Sequence, residues 1–324
     1  MINSICSHPC ARKSIRWAVS GTRKRDNMAE LSALKRQLAS ARQLGNVVST
    51  MKALAAVNIQ HYEKAAAAVD RYHETIHSAL HALFRFYHLQ LPAAAPVRSQ
   101  QEIFIVCGAE QAMAGSFDGQ LLRYLQNTTR DFGVAHNRID ILSFGSRIAA
   151  SLQKNGYHVK QVSMYPGSLK SSSDRVYETV ALINKWRVQS ASTRITIFYN
   201  RPSGAASFNP RHATLFPINA SLVKSLRSKQ WDSTSIPLLS CTYAQVYSGI
   251  IRNMIFTGIL RAFIDTMAAE NAARLAAMQA AEKNIQERLA ELNMIYNRER
   301  QSSITSELLD IIAGVEALEG AQGS

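Results

Sequence analysis

The sequence lacks the long hydrophobic run that a membrane-spanning helix requires. No stretch of the 324 residues reaches about 18 consecutive apolar side chains, which excludes an integral helical membrane protein. Cysteine is also scarce, and the four cysteines, Cys6, Cys10, Cys107 and Cys241, are scattered. They fit neither a disulfide scaffold nor a paired Cys-X-X-Cys zinc site, so a reducing compartment is expected.

Catalytic and nucleotide-binding motifs are missing as well. The glycines after the first predicted strand, Gly108, Gly115 and Gly119, follow neither G-x-G-x-x-G nor the P-loop pattern, and they indicate a strand-to-helix turn that needs small residues. Cys107 ends that strand and is expected to be buried rather than reactive. We therefore predict a protein with no catalytic residue, no cofactor and no metal site.

One series of four histidines has a spacing that could form a zinc site. The side chains at spacings of four, four and seven share one helix face, but neither a cysteine nor a carboxylate in register completes a ligand set. A polar, solvated helix face is the preferred interpretation. The series is His73, His77, His81 and His88.

Proline is absent from two long intervals, residues 10–91 and 238–324. Because proline breaks a helix interior, its absence permits long helices. Apolar side chains recur at spacings of three and four in both intervals, which is typical of coiled coils. In the first interval they are Leu31, Leu34, Leu38, Ala41, Leu44, Val48, Met51 and Ala55; in the second they are Leu275, Met278, Ile285, Leu289, Leu292, Tyr296, Ile304, Leu308, Ile311, Val315 and Leu318.

The middle of the chain has a different pattern. Short β-rich runs at 103–106, 139–144 and 194–199 alternate with helical stretches at 117–128, 145–154 and 173–187. This alternation predicts a small, Rossmann-like α/β domain with a mainly parallel sheet. The Gly-, Pro-, Ser- and Asn-rich segment 200–215 is predicted to be a loop.

These patterns predict an α/β fold in which the N- and C-terminal helices form a long antiparallel coiled coil, with the small α/β domain between them in the chain. The predicted organisation has four parts. They are a basic extension at 1–27, a coiled-coil helix at 28–90, the globular domain at 91–237 and a second coiled-coil helix at 238–324.

The positive charge is concentrated in the middle of the chain. The formal net charge is +14, and residues 85–237 alone carry a net of +10. One function compatible with this charge is an antiparallel coiled-coil scaffold whose basic midsection binds nucleic acid. However, no Lys/Arg run is interleaved with aromatic residues as single-strand binders require, so a solvated basic surface is the simpler interpretation.

Three segments carry a family resemblance. Residues 304–314 read ITSELLDIIAG, residues 47–56 read VVSTMKALAA, and residues 271–284 read NAARLAAMQAAEKN. In this order, around an α/β domain, they closely resemble the gamma subunit of F-type ATP synthases, in a divergent bacterial branch. The segment 109–119 departs from the family pattern, and the paired cysteines of the plastid members are absent.

The resemblance implies a function in rotary ATP synthesis. A gamma subunit is a non-catalytic, central-stalk rotor of the F1 portion, CF(1) in chloroplasts, and it couples hydrogen-ion or other ion transport to ATP synthesis or hydrolysis. Its implied partners are the alpha and beta subunits of the catalytic ring, the epsilon subunit and the c-ring, with no nucleic acid. The implied location is peripheral, on the cytoplasmic face of the bacterial inner membrane.

The same resemblance implies subunit-contact residues. They match family positions that touch the beta subunits or hold the two long helices together: Met51, Lys52, Arg274, Arg300, Gln301, Thr305 and Glu307. We expect the polar members near the C-terminus to face the beta subunits. Ile304, Leu308 and Ile311 are expected to pack against Val48, Met51 and Ala55 in the first helix.

Residues 1–27 lie outside the resemblance. They are Arg-rich and nearly free of acids, a composition shared with organellar presequences. We expect either a start codon assigned too far upstream or a disordered extension, and in both cases a segment that is dispensable for assembly.

Overall fold

The structure is a computed structural model that describes residues 10–87, 102–110, 113–165, 169–190, 194–204, 206–218, 220–231, 235, 237–239 and 241–322. These residues divide into two compact units. One, here called the helical unit, comprises residues 1–51 and 278–324; the other, the α/β unit, comprises residues 52–277.

Two very long helices account for almost half of the chain. Helix α1 spans Cys10–Phe86 over 77 residues, and the last helix, α6, spans Tyr243–Gln322 over 80 residues. No proline interrupts either one, which confirms the prediction from proline spacing. Helix α1 begins at Cys10, and the expectation that residues 1–27 are a dispensable extension, or follow a start codon assigned too far upstream, stays a prediction.

The α/β unit contains a five-stranded sheet with the order β3-β2-β1-β4-β5. The strands and helices alternate along the chain as predicted. Their bounds are β1 Glu102–Cys107, α2 Phe117–Phe132, β2 Ile139–Phe144, α3 Ser146–Lys154, β3 Val159–Ser163, α4 Leu169–Ser190, β4 Arg194–Pro202, β5 Phe208–Phe216 and α5 Ala220–Ser228. Strands β1 to β4 are parallel, and β5 pairs antiparallel with β4.

Two strands were missed from the sequence. The segment 200–215, predicted to be a loop, instead completes β4 and forms most of β5. Strand β5 lies at the sheet edge, where Pro210 is tolerated although it lacks an N–H donor. Strand β3 occupies the opposite edge and reads VKQVS, so its exposed polar residues hid it from a pattern search for buried strands.

Apolar side chains cover both faces of the sheet. On one face, Phe104 and Val106 of β1 pack with Leu121 of α2 and Ile148 of α3. On the other face, residues of β1 and β2 pack with α4 and α6. The fully buried members there include Ile103, Ile105, Phe144, Val176, Ile259 and Phe263. Helix α6 is therefore part of the core of the α/β unit.

The long helices run antiparallel. Within the α/β unit, Asn58 of α1 bonds to Asn271 of α6, and Arg261 of α6 donates to the carbonyl of Ala66 on α1. Residue numbers therefore rise along one helix as they fall along the other. Within the helical unit, a Cβ placed on Gly45 would lie 3.6 Å from Cγ2 of Ile285, which continues the same register.

Candidate functional site

The described residues contain no group of three His, Cys, Asp or Glu side chains placed to hold a metal ion. Cys107 is fully buried at the end of β1, which confirms its expected position. Burial raises the pKa of its thiol to about 12, so the protonated, non-nucleophilic form prevails at neutral pH. Within the described part of the chain, no helix is both long and apolar enough to cross a bilayer.

The histidines of α1 do not form the solvated face that was expected. His81 is buried, and its Nε2 lies 3.1 Å from the carbonyl oxygen of Lys229. The rings of His73 and His77 are in contact, with centroids 4.4 Å apart and planes tilted by 48°. Burial lowers the pKa of both rings, so they favour the neutral form. His88 lies outside the described residues.

The side chain of Arg274 is mostly buried and bonds to other residues of this chain. Its side chain is only 11% exposed, and Nη2 lies 2.5 Å from Oε1 of Glu270, one turn earlier on α6. The Nη1 group donates to Oδ1 of Asn271 at 3.1 Å. That same oxygen accepts from Nδ2 of Asn58 on α1 at 3.4 Å. Of the two implied roles for Arg274, these contacts favour linking the long helices.

Glu270 and Arg274 form an ion pair four residues apart on α6, and this pair is buried rather than exposed. Glu270 is 4% exposed, because the loop after β1 covers it. The backbone N–H of Glu110 in that loop donates to Oε2 of Glu270 at 3.0 Å. The Glu110 carboxylate in turn accepts from the backbone N–H of Tyr165 at 3.2 Å. This chain of bonds attaches α6 to the α/β sheet.

A second buried ion pair on α6 was missed from the sequence. Arg261 and Asp265 are four residues apart, and Nε of the arginine lies 3.0 Å from Oδ1 of the carboxylate. Arg261 also contacts Oδ2 of Asp70 on α1 at 2.6 Å. The available signal was an Arg/Asp pair at i and i+4 inside the otherwise apolar run 259–267, where a lone charge would be unfavourable.

Met51 and Lys52 lie on α1 and are both partly buried. Met51 belongs to the helical unit and Lys52 to the α/β unit. Among the described residues of the helical unit, the buried ones are Leu38 of α1 and Met278 and Leu292 of α6, which are 6%, 5% and 4% exposed. A role for Met51 and Lys52 in contact with another subunit stays a prediction.

The four predicted contact residues near the C-terminus are exposed: Arg300, Gln301, Thr305 and Glu307. The Thr305 hydroxyl donates to the carbonyl oxygen of Gln301 at 2.9 Å, within its own helix. The other three present their side chains to solvent in this single chain, so they are available to a partner. Their role in subunit contact stays a prediction.

The apolar residues beside them do not hold the two helices together as expected. Ile304, Leu308, Ile311 and Val315 are each about half exposed or more, at 47%, 56%, 63% and 49%. The partly buried positions between Leu292 and Ile304 are Asn293, Tyr296, Glu299 and Ser303. Ile304 comes one residue after this series, and one residue turns a helix by about 100°. The antiparallel register also places Val48 nearer to residue 282 than to Ile304.

These features define a class of protein. It is a chain with long helices near both ends, a central sheet linked to the last helix by hydrogen bonds, and an exposed apolar stripe on that helix. Comparison with known proteins identifies the family. A family model described as ATP synthase matches residues 30–318.

The relatives agree with this match. The gamma chain of ATP synthase from Sinorhizobium fredii is 26% identical over 304 residues, covering 90% of this chain and 100% of that protein. The gamma chain from Prosthecochloris aestuarii is 24% identical over 299 residues with the same coverage of both chains. The chain belongs to the ATP synthase gamma family and is a non-catalytic, central-stalk subunit, which confirms the resemblance.

A solved structure shares the fold. A chain in the cryo-EM structure of Euglena gracilis mitochondrial ATP synthase, comprising OSCP, F1 and the c-ring, superposes with a TM-score of 0.61 at 17% identity. The likeness covers 91% of this chain and 97% of that chain. The expected fold, with two long terminal helices and an α/β domain between them, is confirmed.

Proposed function

We propose that this chain is the rotor shaft that turns inside a ring of alternating alpha and beta subunits. The observation that carries the proposal is the exposed stripe on α6, formed by Ile304, Leu308, Ile311 and Val315. Large apolar side chains exposed side by side mark a surface for protein contact. In a rotor, such a stripe can slide against the surrounding alpha and beta subunits, because apolar contacts have no preferred direction.

Polar side chains on α6 would add directional contacts with the surrounding subunits. Arg300, Gln301 and Glu307 are exposed on the same length of helix. A charge-assisted hydrogen bond to a beta subunit is shorter and stronger than a neutral one. Such bonds would form and break as the shaft turns, so the three catalytic sites would experience different contacts in sequence.

The α/β unit is proposed to dock on the epsilon subunit and the c-ring. Residues 85–237 carry the net charge of +10, and a basic surface favours approach to acidic loops. Two solved structures that resemble this chain are of a mitochondrial ATP synthase rotor and of an assembly that includes the c-ring. The proposed location is accordingly peripheral, at the cytoplasmic face of the bacterial inner membrane, and the coupled ion is H⁺ or Na⁺.

Co-purification tests this function. The tagged chain is expressed with the alpha, beta, epsilon and c subunits and recovered from solubilised membranes. We expect all four to be recovered with it, together with ATPase activity. A control chain carrying Leu308→Asp and Ile311→Asp places charges on the stripe and is expected to lose the alpha and beta subunits. Salt-dependent retention of nucleic acid without these subunits would instead favour the scaffold alternative.

A further inference from the structure

Arg261 and Asp265, both on α6, together contact two other elements of the α/β unit. Arg261 donates to the carbonyl oxygen of Ala66 at 2.7 Å and lies 2.6 Å from Oδ2 of Asp70, both on α1. Asp265 lies 3.8 Å, through Oδ2, from Nε of Arg201 on β4. We call these residues the Arg261 junction. It links α6 to α1 on one side and to the sheet on the other.

The carboxylate of Asp265 is the most deeply buried part of the junction. The side chain of Asp265 is 3% exposed and that of Arg261 is 20% exposed. Within the described part of the chain, Oδ2 of Asp265 receives no hydrogen bond, although Arg201 lies nearby. Burial raises the pKa of Asp265, and the guanidinium of Arg261 opposes that rise. Removing either partner would leave a buried charge without compensation.

Many of the contacts that surround the junction on α6 are apolar. They come from apolar side chains such as Ile259, Phe263 and Met267, and the hydrophobic effect has no directional preference. A two-pronged arginine contact has a fixed geometry. The junction therefore adds directional bonds between α6, α1 and β4 to this apolar packing, as the bonds of Glu270 and Asn271 do farther along α6.

We propose that the Arg261 junction fixes α6 against α1 and β4, so that rotation passes between the long helices and the α/β unit without internal twisting. The inference rests on the proposed rotor function. Arg261, Asp265 and Arg201 act as positioning residues, because they transmit the motion and do not touch a reacting group.

The test uses the assembled complex in membrane vesicles. Asp265→Asn removes the charge with almost no change in shape. We expect ATP hydrolysis by the detached catalytic portion to stay at the wild-type rate, because its active sites are untouched. We expect ATP-driven ion pumping, measured per ATP hydrolysed on the same vesicles, to fall severalfold. Arg261→Lys keeps the charge but loses the fork, and should give an intermediate ratio.

Asp140→Asn is the matched control. Asp140 is also 3% exposed and pairs with Lys160 at 2.9 Å, but it joins β2 to β3 and contacts neither long helix. It should lower the melting temperature about as much as Asp265→Asn while leaving ions pumped per ATP unchanged. This comparison separates a loss of coupling from a general loss of stability.

Each possible result either supports or overturns the role of the Arg261 junction. A wild-type pumping ratio in an assembled Asp265→Asn complex overturns the inference, as does an equal loss in the control. If Asp265→Asn does not assemble, Arg201→Gln replaces it, because that side chain is 45% exposed and its loss is tolerated more easily. The Arg201→Gln complex must then show reduced pumping at an unchanged melting temperature, or the inference is wrong. Failure of the wild-type chain to bring down its partners would instead refute the proposed function.

Discussion

Two stretches of the same helix have opposite environments. Every residue from 262 to 273 of α6 is buried, whereas between 301 and 316 only Ser303 and Gly314 are even partly buried. Both stretches mix apolar, small and charged residues. The first packs inside the α/β unit, and the second lies in the helical unit, where the single chain leaves most of its surface open. Composition alone therefore does not determine burial along a long helix; the available partners do.

The largest expected effect comes from emptying the buried stretch. Phe263 is fully buried, with its ring centroid 4.5 Å from that of Phe144 and 5.5 Å from that of Tyr165. Phe263→Ala should destabilise the chain by about 3–5 kcal/mol, because it leaves a cavity in a packed core. Urea unfolding followed by circular dichroism measures the change in the free energy of unfolding.

Leu308→Ala provides the contrast in the exposed stretch. Leu308 is 56% exposed, so its truncation in the isolated chain should change stability by less than about 0.5 kcal/mol. Equal losses for the two substitutions would show that the exposed stretch is packed in solution. That result would contradict the difference between the two stretches.

The second effect depends on a close approach in the α/β unit. A Cβ at Gly108 would lie 2.4 Å from Cγ2 and 2.6 Å from Cβ of Ile148. Gly108→Ala therefore forces the β1 turn away from α3 and should cost about 1–3 kcal/mol. The double variant with Ile148→Ala removes the closer obstructing atom, Cγ2, but keeps Cβ, so it relieves part of the clash. If the clash is the cause, Gly108→Ala should cost less in that background than in the wild type; an equal cost would contradict this explanation.

The same substitution in the helical unit should act in the opposite direction. At Gly45, a new Cβ would meet Ile285 at 3.6 Å, an ordinary van der Waals distance. Gly45→Ala should stabilise the chain by about 0.5–1 kcal/mol, because alanine loses less backbone freedom than glycine when a helix forms. A rise in the melting temperature of the helical signal would support this prediction. A fall would show that the helices approach more closely at Gly45 than the structure indicates.

The sequence predicted elements better than it predicted contacts. Both long helices, three strands and the burial of Cys107 followed from proline spacing, β-rich runs and position at a strand end. The edge strands β3 and β5 did not, since solvent-facing polar residues conceal their alternation. Spacing showed that Glu270 and Arg274 could pair, but not that the loop after β1 would cover them.

The candidate site shows the same limit. Family motifs located Arg300, Gln301 and Glu307 on a surface that proved to be exposed. Periodicity did not predict the orientation of Ile304. Apolar spacings of three and four continue through Ile304, but the partly buried position in the folded helix is the preceding residue, Ser303. The Arg261 junction joins residues far apart in sequence, and such contacts only become visible in the folded chain.

The smallest effect on stability, and the most informative about function, is expected at Arg300 and Gln301. Both side chains are exposed, so the double variant Arg300→Ala with Gln301→Ala should change the stability of the isolated chain by less than about 0.5 kcal/mol. In the assembled complex, a lost charge-assisted contact with a beta subunit would cost about 1.5–3 kcal/mol. That cost is large enough to slow turnover or to loosen coupling, and ATPase rate and ATP-driven pumping on the same vesicles measure both.

Arg298→Ala is the matched control, because Arg298 is exposed on the same helix but outside the family motif. Unchanged rates in the double variant would rule out the contact role, and failure to assemble would show that these residues hold the complex together rather than adjust its turnover.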